Sequence, residues 1–138
     1  MTAPPFTLGA IDHVVLRIGD LESSLHFYCD VLGCTVDKRQ EGIGLIQVRA
    51  GTSLIDLVSL DGMLGKRGGA APAREGRNLD HFAIRIAPFD EGTIRAHLAS
   101  HGIEIVESGQ RYGAEGTGPS VYILDPDGNT VELKGPVG

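Results

Sequence analysis

Residues 122–134 read Tyr-Ile-Leu-Asp-Pro-Asp-Gly-Asn-Thr-Val-Glu-Leu-Lys, two apolar runs separated by a cluster of turn-forming residues. Proline presets φ, glycine supplies a positive φ, and aspartate and asparagine bond their own backbone, so the sequence predicts a β-hairpin. If the turn is centred on Asp127, Tyr122 and Glu132 lie opposite each other. Because burying an unpaired charge is costly, the Glu132 carboxylate between two apolar neighbours predicts a partner elsewhere in the chain.

The chain contains the same pattern twice. Residues 11–18 and 79–86 are both strand candidates, with Asp, His, Arg and the final Ile in the same register. Each is followed by an amphipathic helix, at 20–33 and 90–102, in which aspartate is the N-cap and glycine ends the helix. Three strands are predicted after the first helix, and a strand and the hairpin after the second. Two copies of βαβββ indicate a duplicated module rather than a solenoid.

We therefore predict one α+β domain over residues 1–138, with two tandem modules at about 9–60 and 79–136 and a linker or mobile loop at 61–78. The remaining strands are predicted at Cys34–Lys38, Leu45–Arg49, Ser53–Leu60 and Ile103–Glu107, and a glycine-rich loop is predicted at Glu107–Pro119.

The 138 residues carry 18 acidic and 12 basic side chains, a formal net charge of −6, with 41% hydrophobic and 22% charged residues. This is the composition of an ordinary soluble globular protein long enough for one compact domain. The acidic balance argues against nucleic-acid binding, and the lack of an 18-residue apolar run argues against a transmembrane helix. No charged n-region with an apolar segment follows Met1, so we expect a cytoplasmic protein in which Cys29 and Cys34 are free thiols.

Each copy places a histidine on its first strand and a carboxylate on its last. His13 and His81 lie opposite the apolar residues that a helix can cover, so both point to the uncovered face of a sheet. Asp56 and Glu132 occupy matching positions on the last strands. A single histidine of this kind is most often a hydrogen-bonded core or surface residue. Two in matching positions, with one or two carboxylates, instead predict a site for a divalent metal.

These residues resemble the vicinal oxygen chelate superfamily, which includes glyoxalase I, bleomycin-binding proteins, fosfomycin-resistance thiol transferases and extradiol dioxygenases. The resemblance covers residues 11–134 and is carried by Ile-Asp-His at 11–13, Leu-His-Phe-Tyr at 25–28, Leu-Asp-His at 79–81 and the hairpin. It implies paired βαβββ modules whose mixed sheets curl around a metal-binding cleft. It also implies a homodimer, and the sequence leaves open whether the ligands come from one chain or two.

The resemblance implies that His13, His81 and Glu132 are metal ligands, with Asp56 at the fourth position, where glyoxalase I has the longer glutamate. Asp56 is then a ligand, a general base, a contact through water or a partner of the ligands. The ion is Ni, Zn, Fe or Mn, and the sequence does not choose among them.

Members of this family bind substrates that offer two adjacent oxygens to the metal, which is a Lewis acid. The first hypothesis is therefore a glyoxalase-like lyase or isomerase, of the lactoylglutathione-lyase type, acting on a small substrate. Glu132 or Asp56 would move a proton next to a carbonyl. Arg17, Arg85 and Arg111 are candidates for holding an anionic substrate, and the alternative for each is a solvated surface charge.

Three alternatives stay open, and one of them is a thiol transferase acting on fosfomycin, for which the sequence shows no dedicated phosphonate or monovalent-cation signature. An Fe(II) extradiol-type dioxygenase is favoured by Tyr122, which the resemblance places near the family's catalytic tyrosine, although cross-strand packing also explains this residue. A non-catalytic drug-binding and resistance protein is the alternative from another class, and the predicted metal ligands argue against it because bleomycin-binding relatives lack them. His26, His97 and His101 have no counterpart in the other copy, so we predict surface or packing roles for them.

Overall fold

The computed structural model describes residues 3–138 and confirms an α+β fold of two βαβββ modules. The first two residues of the predicted domain, Met1 and Thr2, lie outside this range. The first module consists of β1 (His13–Ile18), α1 (Leu21–Leu25) with a π-helical continuation (His26–Val31), β2 (Thr35–Gln40), a 3₁₀ turn (Glu41–Ile43), β3 (Leu45–Ala50) and β4 (Ser53–Ser59). The second consists of β5 (His81–Arg85), α2 (Glu91–Ser100), β6 (Glu107–Gly113), β7 (Gly116–Leu124) and β8 (Thr130–Lys134).

Each module forms a four-stranded mixed sheet. The strand orders are β1-β4-β3-β2 and β5-β8-β7-β6, and in each sheet the first and last strands of the module are parallel neighbours. The other pairs are antiparallel. Because the histidine strand lies directly beside the carboxylate strand, the fold brings one histidine and one carboxylate together in each module.

The C-terminal hairpin has the predicted register. Tyr122 pairs with Glu132 across β7 and β8. The turn closes through the Asp125 N–H, which donates to the Asn129 carbonyl at 2.9 Å, and Gly128 has the positive φ of 82° that the turn requires.

The strand predicted at 103–107 and the loop predicted at 107–119 are wrong. Residues 107–124 form a second hairpin, in which β6 pairs with β7 up to Gly113 and Gly116. The sequence of β6, Glu-Ser-Gly-Gln-Arg-Tyr-Gly, has no apolar alternation because this edge strand is largely exposed on both faces. Cross-strand hydrogen bonds, which the local pattern does not record, make it a strand.

Both predicted helix starts are confirmed. The carboxylate of Asp20 accepts the Ser23 N–H and that of Asp90 accepts the Thr93 N–H, each at 2.9 Å. Gly33 ends the first helical segment with a φ of 90°. No helix within residues 3–138 is long and apolar enough to span a membrane.

One continuous core joins the two modules. Its fully buried residues come from both sheets, from the first helical segment and from α2, and include Leu16, Tyr28, Leu98, Ile123 and Val131. The strand faces that the sequence assigned to the core are thus the faces that the helical segments cover. The opposite face of each sheet remains open.

Polar contacts also hold the modules together. The buried Tyr28 hydroxyl donates to Asp125 Oδ2 at 2.6 Å. The His97 Nε2–H donates to the Val31 carbonyl at 2.8 Å, which agrees with the packing role predicted for this histidine. These bonds dock the C-terminal hairpin and α2 on the first helical segment.

The segment at 61–78, predicted as a linker or mobile loop, is bonded to Arg17 on β1. The Arg17 guanidinium donates to four of its carbonyls, those of Gly65, Gly68, Gly69 and Ala70. Asn78 bonds both backbone groups of Arg17 and donates to Asn129 Oδ1 at 3.1 Å. Arginine on a strand thus organises a segment that has no hydrophobic periodicity of its own.

Replacement of Asp127 by Asn is expected to raise the melting temperature at neutral pH. Asp127 Oδ1 accepts the Gly19 N–H, whereas Oδ2 is buried without a partner among residues 3–138. Burial raises the pKa of the Asp127 carboxyl. Because the folded-state pKa is the higher one, stability is lost as pH rises through it, and no penalty exists below the unfolded-state value.

Thermal unfolding of Asp127→Asn and wild type across pH is the measurement. We expect the gap in melting temperature to close below about pH 4, where the carboxyl is protonated in both states. The exposed Asp61→Asn is the control and should show no such gap. A gap for Asp127→Asn that is independent of pH would contradict the assignment to ionisation.

Candidate functional site

The open face of each sheet carries the polar residues that strand phase predicted. The side chains of His13 on β1 and His81 on β5 are 43% and 39% exposed, respectively. Their neighbours on the inner face, such as Leu16 and Ile84, are buried or partly buried. Both histidines therefore present their rings to the open side, as alternation along a strand requires.

In the first module, His13 faces Asp56. The His13 Nε2 lies 3.8 Å from Asp56 Oδ2, and the other oxygen of that carboxylate accepts the Gln47 amide at 3.0 Å. The His13 Nδ1–H donates to Asp12 at 2.7 Å. This bond first, and the Asp56 charge second, raise the pKa of His13. Asp56 is only 5% exposed, so its free lone pairs point towards the histidine rather than to bulk water.

The second module repeats this arrangement with Glu132. The His81 Nε2 lies 3.3 Å from Glu132 Oε1, and Ser120 Oγ donates to Oε2 at 2.7 Å. The His81 Nδ1–H donates to Asp80 at 2.6 Å, and this bond holds the pKa of Asp80 below its usual value. Glu132 is 5% exposed. The sequence predicted a partner for this buried carboxylate, and the structure provides two, His81 and Ser120.

A carboxylate on Nδ1 is the usual way in which proteins orient a metal-binding imidazole, because it fixes the tautomer and leaves the Nε2 lone pair free. Two imidazoles and two carboxylates also form a donor set that suits Ni, Zn, Fe or Mn. The donors present thus fit a divalent ion in their chemistry.

The structure does not, however, bring the four donors into one cluster within a single chain. Among residues 3–138, no group of three histidine, cysteine, aspartate or glutamate side chains is close enough to hold a metal ion. The predicted ligands instead form two separate pairs, His13 with Asp56 and His81 with Glu132. Each pair contains two of the four predicted ligands.

Tyr122 completes the second pair. Its ring packs edge-on against His81 with 5.7 Å between ring centroids, and it lies opposite Glu132 in the sheet. Burial, followed by the hydrogen bond to Glu132, raises the pKa of the Tyr122 hydroxyl. The hydroxyl therefore stays protonated at neutral pH and can donate a hydrogen bond.

The sequence model of the Glyoxalase/Bleomycin resistance protein/Dioxygenase superfamily matches residues 10–133, which include both modules and every donor described above. The chain belongs to this superfamily. Superfamily members typically use divalent metals, are commonly dimeric and bind small molecules.

Three relatives within the superfamily illustrate its range. Virulence protein STM3117 of Salmonella typhimurium is 33% identical over 89% of this chain and 81% of its own length, and its crystal structure superposes with a TM-score of 0.77 over 96% and 100% of the two chains. The "Probable lactoylglutathione lyase" of Vibrio cholerae is 30% identical over 88% of this chain and 86% of its own length. Catechol-2,3-dioxygenase of Bacillus subtilis is 32% identical over 89% of this chain, which spans only 40% of that protein.

The three arginines predicted to hold a substrate all contact other residues of the same chain. Arg17 binds the carbonyls at 65–70, Arg85 lies 3.3 Å from Glu115, and Arg111 donates to Glu107 at 2.7 Å and to the Tyr122 hydroxyl at 3.2 Å. Their role towards a substrate stays a prediction.

Sequence reasoning missed three polar residues on the open faces. Gln47 and Ser120 hold the two site carboxylates, and Lys134 is almost fully buried two residues beyond Glu132. Hairpin register would have found two of them, because Ser120 pairs with Lys134 in the arrangement that places Tyr122 opposite Glu132. Gln47 depends on the pairing of β3 with β4, which the sequence did not specify residue by residue.

Proposed function

We propose that this chain is a metal-dependent enzyme of the glyoxalase type, a lyase or isomerase for a small substrate that presents two adjacent oxygens. The observation that carries the proposal is the duplicated pair of histidine Nε2 and buried carboxylate, each with its Nδ1 held by the preceding aspartate. The recurrence of a histidine with both partners in two modules favours a shared role for these residues. The name of the superfamily and the lactoylglutathione-lyase relative support this class of reaction.

The ion would be held by His13, Asp56, His81 and Glu132. When bound, it would act as a Lewis acid towards the two substrate oxygens. Because both carboxylates are buried, bulk water does not compete with the ion for their oxygens. Their hydrogen bonds to Gln47 and Ser120, and those of the imidazoles to aspartate, preset the orientation of the donors.

The two carboxylates lie at different distances from their histidines, and we infer that they have different roles. Glu132 lies 3.3 Å from its histidine, whereas Asp56 lies 3.8 Å from its own and is one methylene shorter than glutamate. We assign Glu132 to the metal, and Asp56 to the metal or to proton transfer next to a substrate carbonyl. We assign to the protonated Tyr122 hydroxyl a hydrogen bond to a substrate oxygen near Glu132, in place of its bond to that carboxylate.

We further propose that the complete site forms across a homodimer. A two-fold axis that places the His13 and Asp56 pair of one chain against the His81 and Glu132 pair of the other creates two equivalent four-donor sites. The exposure of both histidines, and of Val15 between His13 and Arg17 on the same open face, leaves surface for a second copy to cover.

Complementation tests this directly. One variant, His13→Ala with Asp56→Ala, lacks the first pair, and a second variant, His81→Ala with Glu132→Gln, lacks the second pair. Co-expression with different affinity tags isolates the mixed dimer, which should bind about one divalent ion where the wild-type dimer binds two, because one of its two shared sites is intact. Each variant alone should bind none.

Metal analysis and calorimetry with Ni, Zn, Mn and Fe(II) are the measurements. A mixed dimer that binds no ion would argue against shared sites. Wild-type protein that binds no ion stoichiometrically would argue against the metal-dependent function itself, and would leave a non-catalytic binding protein as the better account.

An Fe(II) extradiol-type dioxygenase is the second candidate, because the Bacillus subtilis relative carries that activity in its name and Tyr122 lies beside His81 and Glu132. The same metal series separates the two. A preference for Fe(II) together with oxygen consumption on catechols favours the dioxygenase, whereas a preference for Ni or Zn favours the lyase or isomerase.

A further inference from the structure

Lys134, the last residue of β8, is a lysine in an unusual place. It is only 7% exposed, and it lies on the same open face as Glu132, two residues along the strand. Its neighbours across the sheet are Arg85 on β5 and Ser120 on β7, the residue that holds Glu132. Lysine is rarely buried without a partner, so its position calls for an explanation.

Two glycines make room for the lysine side chain. A Cβ atom at Gly113 would lie 2.8 Å from Lys134 Cε, and one at Gly118 would lie 3.1 Å from Nζ. The side chain therefore runs along the open face of the sheet into the space left by two missing side chains in the hairpin of β6 and β7. The stem is fixed there, and the ammonium group lies at the Gly118 end of this slot.

No counter-charge meets that ammonium group. Among residues 3–138, no carboxylate lies within 4.0 Å of Nζ, and Nζ donates no hydrogen bond. The neighbouring cations differ, because Arg85 is paired with Glu115 and Arg111 with Glu107. Nζ is not one of the buried, unpaired polar atoms among residues 3–138, so the buried stem ends in an ammonium group that reaches solvent and can meet an anion from outside.

We propose that Lys134 binds an oxyanion of the substrate, a carboxylate or phosphoryl group separate from the two metal-binding oxygens. This inference rests on the proposed function, and it names the substrate class as a chelating head with an anionic tail. Residues two apart on a strand are about 6.7 Å apart, and the lysine stem extends beyond that towards Gly118. The tail must therefore be joined to the chelating oxygens by several atoms.

A matched pair of ligands tests the proposal on the zinc-loaded full-length protein. 4-Ethylcatechol and 3-(3,4-dihydroxyphenyl)propanoate offer the same two adjacent oxygens, and only the second adds a carboxylate at the end of its side chain. Calorimetry should show that the wild type binds the carboxylate ligand roughly tenfold or more tightly, the gain expected for a hydrogen bond to a charged group.

Lys134→Met keeps the length of the stem and removes the charge. We expect it to bind zinc and 4-ethylcatechol as the wild type does and to lose the preference for the carboxylate ligand. Its melting temperature without ligand should stay close to that of the wild type, because methionine keeps the buried stem and the ammonium group has no ion pair to lose. Lys66→Met, an exposed lysine at 61–78, is the control and should keep the preference.

Gly113→Ala is the second variant, because the three atoms nearest to the added methyl group all belong to the Lys134 side chain. It keeps the ammonium group but displaces it, so the preference for the carboxylate ligand should weaken while zinc binding persists. Lys134→Met thus tests the charge of the lysine, and Gly113→Ala tests the position of its ammonium group.

The proposal is overturned if the wild type shows no preference between the ligands, if Lys134→Met retains the preference, or if Lys134→Met unfolds at a lower temperature because the ammonium group is satisfied within the protein. Binding of 4-ethylcatechol without any preference would leave the proposed function intact and remove only the role of Lys134. Failure of zinc-loaded protein to bind either ligand would remove both.

Discussion

Replacement of Glu132 by Gln is expected to abolish stoichiometric binding of a divalent metal and, with it, turnover. The change keeps the shape of the side chain and its hydrogen bond from Ser120 Oγ, but it replaces a charged donor by a neutral amide. Loss of an outer-shell partner of a metal typically weakens affinity about 10–100-fold, and loss of a ligand should exceed that. Metal content after dialysis and calorimetry with Zn and Ni measure the effect.

The same change should not unfold the protein. Among residues 3–138, His81 is the only basic partner of the buried Glu132 carboxylate, so a neutral amide at this position removes a desolvated charge. The exposed Glu104→Gln is the matched control and should leave metal binding unchanged. Glu132→Gln protein that still binds metal as the wild type does would show that the second pair is structural.

Replacement of Asp125 by Ala is expected to cost about 3–5 kcal/mol of unfolding free energy, a large share of the roughly 5–15 kcal/mol typical of a domain. This buried carboxylate accepts the N–H groups of Asp127 and Asn129, the Asn129 side-chain amide and the Tyr28 hydroxyl. Burial raises the pKa of Tyr28, so its hydroxyl remains a donor. The loss leaves several buried donors unpaired in the turn and at the junction between modules.

Urea unfolding followed by circular dichroism measures this loss. Tyr28→Phe removes one of the four bonds and should cost about 1.5–3 kcal/mol, the value for a hydrogen bond to a charged group. Asp61→Ala, an exposed aspartate, should change stability by less than about 0.5 kcal/mol. A loss below about 1 kcal/mol for Asp125→Ala would mean that water replaces the bonds and that the hairpin does not hold the modules together.

Much of the second module could be predicted because its signals are local. The turn at 125–129 combines residues with fixed conformational preferences, and the register that pairs Tyr122 with Glu132 followed from its centre. The repeat extended the prediction to the first module, since His13 and His81 lie on the same face of their respective strands. The strand at 107–113 was missed because an exposed edge strand needs no apolar alternation.

The sequence alone predicted the candidate donors, two histidines and two carboxylates, and strand alternation and repetition determined the sheet face on which each lies. Their grouping was decided only by tertiary structure. Packing of both modules around one core, fixed by contacts such as Tyr28 with Asp125, leaves the open faces apart and divides the donors into two pairs. Local pattern specifies which face a side chain occupies, whereas contacts between residues distant in sequence decide which faces meet.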